Sequence, residues 1–250
     1  MGESVASMLI DSHIHLYEYE DSWVKYCDSG YLMIAVSDDV ASSLKTVDIC
    51  GRCPHAIPAV GVHPWNADKV GIEDSMKAIE KLVGDYGIYF LGEVGLDRAL
   101  HPETFEAQLR LFKGFLEIAA EYGLGLSIHA AGAWRDVLDL LRKYEIATAV
   151  FHWYTGPLEL VDEIVSEGFF IGVNPALLVQ KKHEAVVEKV PTDAILTESD
   201  GPYRYRGLDL GPELLPRLLE RISQIKRVSV TEISERVAEN FRRLISSAKK

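Results

Sequence analysis

The chain has 250 residues, 48% of them hydrophobic, and its 26 basic against 38 acidic side chains give a formal net charge of −12. That length is enough for one substantial core, and the negative excess repels polyanions, so a nucleic-acid substrate would need a local basic patch or bound metal to hold it. No apolar run approaches the roughly 18 residues of a membrane helix, and the start, "MGESVASMLIDSH", lacks the positive segment and apolar stretch of a signal peptide. Residues 1–7 are expected to be a disordered leader and the protein to be cytoplasmic and free of membrane. Three cysteines, Cys27, Cys50 and Cys53, are too few and odd in number for a secreted disulfide framework. "CGRC" (50–53) has no second pair to complete a zinc ribbon and follows a helical stretch, so it reads as a structural pair, a local disulfide being one form.

In chain order, short apolar runs alternate with amphipathic stretches. "MLIDSHI" (8–14), "YLMIAV" (31–36), "AIPAVGV" (56–62) and "YFLGEVG" (89–95) come first. "LGLSIHA" (124–130), "TAVFHW" (148–153), "FFIGVN" (169–174) and "AILTES" (194–199) follow. Each has the length and composition of a strand buried on both faces of a parallel sheet. Among the helices, "IEDSMKAIEKLVGDY" sets Ile72, Met76, Ile79, Leu82 and Val83 on one stripe, and "PETFEAQLRLFKGFLEIAAEYG" starts at Pro102 and stops at Gly123. "WRDVLDLLRKY", "PLELVDEIVSEG", "LLVQKKHEAVVEKV", "PELLPRLLERISQI" and "VTEISERVAENFRRLISS" continue the alternation. Eight strands interleaved with helices predict a single-domain (β/α)8 barrel over 1–250, because eight strands close one. An open doubly wound sheet is the alternative, but "DSHIHL" stands where a Gly-x-Gly-x-x-Gly would follow the first strand.

Barrel chemistry sits at the C-terminal ends of strands, and the polar residues gather there. His13 and His15, two apart, share a face of an extended strand; they hold a metal or are a chance pair at a polar strand end. Of eight histidines, five end strands: His13, His15, His63, His129 and His152. Glu93, Asp97 and Asp200 lie at the same rim. Five imidazoles and two or three carboxylates around one rim would repel or stay unpaired without a cation, so a metal is the economical account. Imidazole and carboxylate suit zinc and other divalent ions, and the count exceeds one tetrahedral ion, favouring two that share Glu93. Asp200 is a ligand, the base that takes a proton from water held at the metals, or both; hydrolysis is the implied reaction.

The ordered segments "DSHIHL", "GVHP", "GEVGLD", "PETFEAQLRLFKGFLEIAAEYGLGLSIHA", "FHWYTG", "LTESDGP" and "VAENFRRL" resemble those of the TatD-type metal-dependent hydrolases, often deoxyribonucleases, within the amidohydrolase-like barrels. The resemblance spans nearly the whole chain and implies a (β/α)8 barrel with two divalent ions (zinc, magnesium or manganese). Carried over by position, His13, His15, Glu93 and Asp200 would bind one ion. Glu93, His129 and His152 would bind the second, while His63 would face the substrate or its phosphate. Asn240 matches a family position that would tie down the last helix. Three departures stand out: Tyr17 where the family usually has Asp, Trp65 where it has a second His, and Ala131 where it has Arg. Loss of that Arg weakens the grip on a phosphodiester, which Arg204 and Arg206 could restore.

Asp97 is expected to brace the next segment and Asp11 to support the site from behind. Trp65, Tyr154, Trp134 and Trp153 either line a pocket where a base could stack or, as is commoner for aromatics at a barrel rim, serve as packing. His55, His101 and His183 are expected on the surface, with the Lys pairs at 181–182 and 249–250 as ordinary solvated charges. The expected activity is a metal-dependent deoxyribonuclease or phosphodiesterase. The alternatives are an esterase, amidase or phosphatase on a small molecule, and a non-catalytic scaffold. DNA or a small ester is the expected partner, and a monomer or small homo-oligomer the expected state.

Overall fold

The computed structural model describes residues 8–28 and 30–248, so the expected leader (1–7) and the final Lys pair lie outside the described residues. The eight apolar runs form eight parallel strands in sequence order: β1 (Leu9–Ile14), β2 (Tyr31–Ala35), β3 (Ala56–Val60), β4 (Phe90–Gly95), β5 (Gly125–His129), β6 (Ala149–Phe151), β7 (Phe170–Val173) and β8 (Ile195–Thr197). They take that form because they are buried on both faces, as in β4, where all six residues are enclosed. Polar groups finish the ring between β8 and β1. The Thr197 hydroxyl donates to the Ile10 carbonyl (2.6 Å), the Ser199 amide to Asp11 Oδ1 (2.8 Å) and the Asp200 amide to the His13 carbonyl (2.9 Å). Asp11 is thus a brace at the seam, behind the site.

Nine helices are found among the described residues. The β1–β2 connection is irregular: a 3-10 stretch (Leu16–Trp23) runs into one turn, α1 (Val24–Cys27). Then come α2 (Val40–Arg52), α3 (Ile72–Tyr86), α4 (Phe105–Tyr122), α5 (Trp134–Lys143), α6 (Leu158–Ser166), α7 (Lys182–Lys189), α8 (Leu215–Lys226) and α9 (Val230–Ser247). Both α8 and α9 pack on β1 and β8, covering the flank that α1 is too short to shield. Asn240 ties α9 to the barrel, its side-chain amide donating to the carbonyls of Thr192 (2.9 Å) and Ile195 (2.8 Å).

Helix limits follow local chemistry. Asp39 and Ser42 close a capping box on α2, and Gly123 (φ 65°) ends α4 in the left-handed conformation that glycine adopts without strain. The stretch read as one helix over 177–190 is divided. Asn174 caps a separate 3-10 turn (Pro175–Leu178) by accepting from the Ala176 amide, and α7 begins only at Lys182. A small hairpin, β9 (Arg204–Tyr205) with β10 (Leu208–Asp209), stands in the segment before α8 and left no alternating pattern long enough to read. No helix among the described residues is long and apolar enough to cross a membrane.

The cysteine expectation is corrected. Cys53 pairs with Cys27, 26 residues earlier, with Cα atoms 5.3 Å apart, and Cys50 is free. Cys53 is the C-cap of α2 and faces the end of α1, whereas Cys50 sits inside the helix and points elsewhere. Non-reducing digestion of oxidised protein should release one linked peptide pair containing Cys27 and Cys53; a Cys50–Cys53 link would refute this. Replacing both bonded cysteines with Ser should lower unfolding free energy by about 2–4 kcal/mol in a denaturant titration.

Candidate metal centre

Strand ends β1, β3, β4, β5, β6 and β8 bring His13, His15, His63, Glu93, His129, His152 and Asp200 to one point. Glu93 is at its middle, 2% exposed. Its Oε2 lies 3.3 Å from His13 Nε2 and 3.5 Å from His15 Nε2. Its Oε1 lies 2.8 Å from His129 Nδ1, 3.3 Å from His63 Nε2 and 3.9 Å from His152 Nε2. Asp200 Oδ1 faces the other side, 3.5 Å from His15 Nε2, 3.6 Å from His13 Nε2 and 3.8 Å from His152 Nε2. The two rings of β1 sit at 70° with their Nε2 atoms 3.3 Å apart, so the strand-face spacing of the sequence becomes convergence in space.

Four of these imidazoles are fixed from behind. His13 Nδ1 meets the Ser127 hydroxyl at 2.8 Å, and His15 Nδ1 faces Asp38 Oδ1 at 3.4 Å. His129 Nε2 meets Asp97 Oδ2 at 2.9 Å, and His152 Nδ1 faces Glu198 Oε1 at 3.0 Å. Hydrogen bonds occupy one ring nitrogen of His13 and of His129, whereas His15 and His152 face their carboxylates at ion-pair distance. The other nitrogen of each ring is aimed at Glu93, and those of His13, His15 and His152 also at Asp200. Second contacts of this kind set ring orientation in metal sites. His63 differs: its Nδ1 accepts from the Trp65 backbone amide (3.2 Å), which puts the ring proton on Nε2. That nitrogen is a donor, here toward Glu93 Oε1.

The charges are mutually dependent. Burial pushes His13 down to about 4, and positive charge on neighbouring His152 adds to this. Burial also opposes protonation of His129 and His152. Asp97 and Glu93 outweigh it at His129, and Glu198, Asp200 and Glu93 at His152, holding each near 9. Burial works against ionised Glu93 and Asp200 too, yet the surrounding imidazoles hold both below the usual carboxylate range. Among the described residues with positive φ that are not glycine, Trp153 (41°) and Asp200 (54°) both border this centre, and such backbone strain gathers at functional sites.

The structure places the other sequence candidates unevenly. Trp65 lines the cavity of ≈ 520 Å³ above the centre, as do His63, Trp134, Trp153 and Ala131. Its indole N–H donates to Asp97 Oδ2 (2.6 Å), so Asp97 braces Trp65 and His129 as well as the Ala99 and Leu100 amides. Tyr154 is buried among Trp134 and Phe151, its hydroxyl donating to the Pro157 carbonyl, and it does not line the cavity. Arg204 turns to Asp209 (3.3 Å) and Arg206 lies over the Tyr205 ring; neither lines the cavity. His183, expected on the surface, is 5% exposed, because α7 packs it inward. His152 groups with His13, their rings stacked 3.6 Å apart, and His129 groups with His63, a partition different from the one carried over by position.

Asp38, Ser127 and Glu198 escaped the sequence reading, and Lys182 was expected only as a solvated charge. Glu198 had a signal, since it shares strand parity with Asp200. Asp38 sits in "SDD" after β2, and its other oxygen accepts from the Tyr17 hydroxyl (2.7 Å). Tyr17 therefore reaches the centre through Asp38 and His15. Lys182 lines the cavity although its neighbour Lys181 only opens α7.

Residues 10–246 match the sequence profile described as TatD related DNase. The chain belongs to the TatD-related DNase family. Among TatD-family relatives, a protein of Methanocaldococcus jannaschii named as an uncharacterized metal-dependent hydrolase, MJ1582, is 31% identical over 92% of this chain and 94% of its own. YcfH of Escherichia coli K12, named in the same way, is 28% identical over 94% and 95%. The crystal structure of YJJV, a TatD homologue from Escherichia coli K12, superposes with a TM-score of 0.84 at 22% identity, covering 94% of this chain and 97% of that one, and shows the shared fold.

His183 lies behind the cavity wall, its ring 6.5 Å from that of Trp153, and gives the fold an acid limit. Burial, then the positive charges of Lys182 and Arg206, push its imidazole down to about 4. Its contribution to stability is therefore complete above the ordinary histidine value of about 6.5 and is lost as pH falls toward 4. Unfolding free energy measured from pH 7 to 4 should fall less steeply for His183→Gln, by on the order of 2 kcal/mol across that interval. Parallel curves would exclude the effect.

Proposed function

We propose that this chain is a divalent-metal-dependent hydrolase of phosphate esters, with deoxyribonuclease activity as its specific form. The observation that carries this reading is the convergence of four imidazoles, each with a polar side chain behind it, on Glu93, three of them also on Asp200. The set fits metal: the inner nitrogens face one another and two acids at the floor of the cavity, and mixed nitrogen and oxygen donors suit zinc or manganese, with magnesium using the carboxylates. His13, His15, Asp200 and Glu93 Oε2 would hold one ion and Glu93 Oε1 with His129 a second, His152 standing between the two groups. A divalent ion so held supplies Lewis-acid charge and makes water a competent nucleophile at neutral pH.

The chain's own groups divide the remaining work. Asp200, ionised among the imidazoles and held by its backbone amide to β1, is placed to accept the proton of the attacking water. His63, with its proton on Nε2, serves a phosphate oxygen better than a metal. Lys69 and Lys182 are the two strong bases on the cavity wall, and no arginine lines it among the described residues. Small or end-on substrates therefore suit it better than a long duplex, whose polyanionic charge this acidic chain repels.

The test is hydrolysis of a single-stranded oligonucleotide and of bis(p-nitrophenyl) phosphate by protein stripped with chelator and reloaded with Zn²⁺, Mn²⁺ or Mg²⁺. Activity should vanish on stripping and return with metal, and Asp200→Asn should lower kcat by about 10²–10⁴-fold. Turnover confined to carboxylic esters or amides would move the assignment to a small-molecule esterase or amidase, which the missing rim arginine also accommodates; no turnover of any ester would leave a scaffold. Asp97→Asn and Glu198→Gln should each weaken metal binding by about 10–100-fold in a competition titration on variants whose melting curves show a folded chain.

A further inference from the structure

Beyond the metal-binding side chains, the cavity has an aromatic wall. Trp153 stands between Tyr205, with ring centroids 5.0 Å apart at 79°, and Tyr203, 6.0 Å away at 73°. Its ring lies 6.2 Å from that of His152, so the wall begins where the centre ends. Tyr203 lines the cavity and is 51% exposed, so its ring stays open to a bound molecule. Leu100, 64% exposed, lines the same cavity from the β4 end.

The wall is also rigid. Trp153 is held at φ 41°, outside the range most side chains adopt, and its backbone amide donates to Glu198 Oε1 at 2.6 Å. Glu198 is itself fully buried and faces His152. The Tyr205 hydroxyl donates to Gln180 Oε1, which also receives His183 Nε2 at 3.1 Å. A strained tryptophan fixed by the same carboxylate that orients a central histidine joins ring placement to the chemistry. Where a guanidinium would grip phosphate there is Ala131, and Lys182 supplies the charge on this side.

We infer that Trp153, Tyr203 and Tyr205, with Lys182 beside them, form a subsite for the flat heteroaromatic ring of a mononucleotide-sized phosphate ester whose phosphate lies at the histidine–carboxylate centre. The inference rests on the hydrolase reading for the position of the phosphate and on the wall alone for the ring. The cavity, ≈ 520 Å³, falls within the range of about 300–1,000 Å³ that holds single small molecules. Ring stacking of this kind is worth about 1–3 kcal/mol per base, or roughly 5–150-fold in affinity.

The probes are deoxyadenosine monophosphate, deoxyribose 5-phosphate and adenosine, titrated calorimetrically into the full metal-loaded chain. The nucleotide should bind at least about tenfold more tightly than the sugar phosphate. That preference should fall below about threefold in Trp153→Leu and in the exposed Tyr203→Ala, whose melting curves report folding, and survive in Tyr86→Ala on the remote end of α3. Equal affinity for the two phosphates, a preference that outlasts both substitutions, or no binding of any probe would overturn the subsite. Adenosine separates the two readings: Trp153-dependent adenosine binding without hydrolysis of any ester would uphold the subsite while the hydrolase assignment failed. Ester hydrolysis with equal affinity for both phosphates would do the reverse.

Discussion

Five imidazoles gathered around two largely buried carboxylates are tolerable only if every charge has a counter-charge. Much of the barrel serves that constraint. Glu93 can sit at the middle because its two oxygens address different neighbours, Oε2 the pair from β1 and Oε1 the histidines of β3, β5 and β6. The seam between β8 and β1 is closed by the Asp200 amide itself, so the bond that completes the ring also fixes a carboxylate of the site. Fold and site share atoms, which makes the site's geometry as rigid as the sheet.

The outer partners extend the same logic. Ser127 comes from inside β5, Asp38 from the end of β2, Asp97 from beyond β4 and Glu198 from the end of β8. Each faces a ring of the site, and Asp38 and Glu198 also take the Tyr17 hydroxyl and the Trp153 amide. Asp97 goes further, taking the Trp65 indole and the His129 ring on one oxygen and two backbone amides on the other, so the β3 and β4 ends cannot move independently.

The barrel and the inner ring of the site were legible because both follow from periodicity. Strands buried on two faces must read as short apolar runs, and a residue that ends such a run in an eight-stranded ring must face the same mouth. Hence "DSHIHL", "GEVGLD" and "LSIHA" announced His13, His15, Glu93 and His129. What failed had no period. Tyr154 follows a strand end as His152 does, but the turn at Trp153 sends it into the core. Arg204 and Arg206 sit on a hairpin of two-residue strands whose outward face no pattern could reveal. Cys53 pairs with Cys27 because α1 and α2 meet in space, whereas the C-x-x-C spacing pointed to Cys50. His183 looked polar and was buried, since it shares the inward face of α7 with Val186 and Val187.

The departures at Tyr17, Trp65 and Ala131 then take on different weights. Tyr17 and Trp65 replace family residues yet still bond to Asp38 and Asp97, and so reach His15 and His129 through a carboxylate. They preserve the inner geometry by other means. Ala131 has no such compensation: the nearest arginines of the β8 segment turn to Asp209 and to the Tyr205 ring, leaving lysines and aromatic faces to meet the substrate. A lysine offers a point charge without the paired donors that match a phosphate's oxygens. On the phosphate-ester reading, recognition shifts from the phosphate to whatever is attached to it, and in this cleft the attached group meets tryptophan and tyrosine. The rim of a barrel of this kind is where a change of wall changes what it acts on.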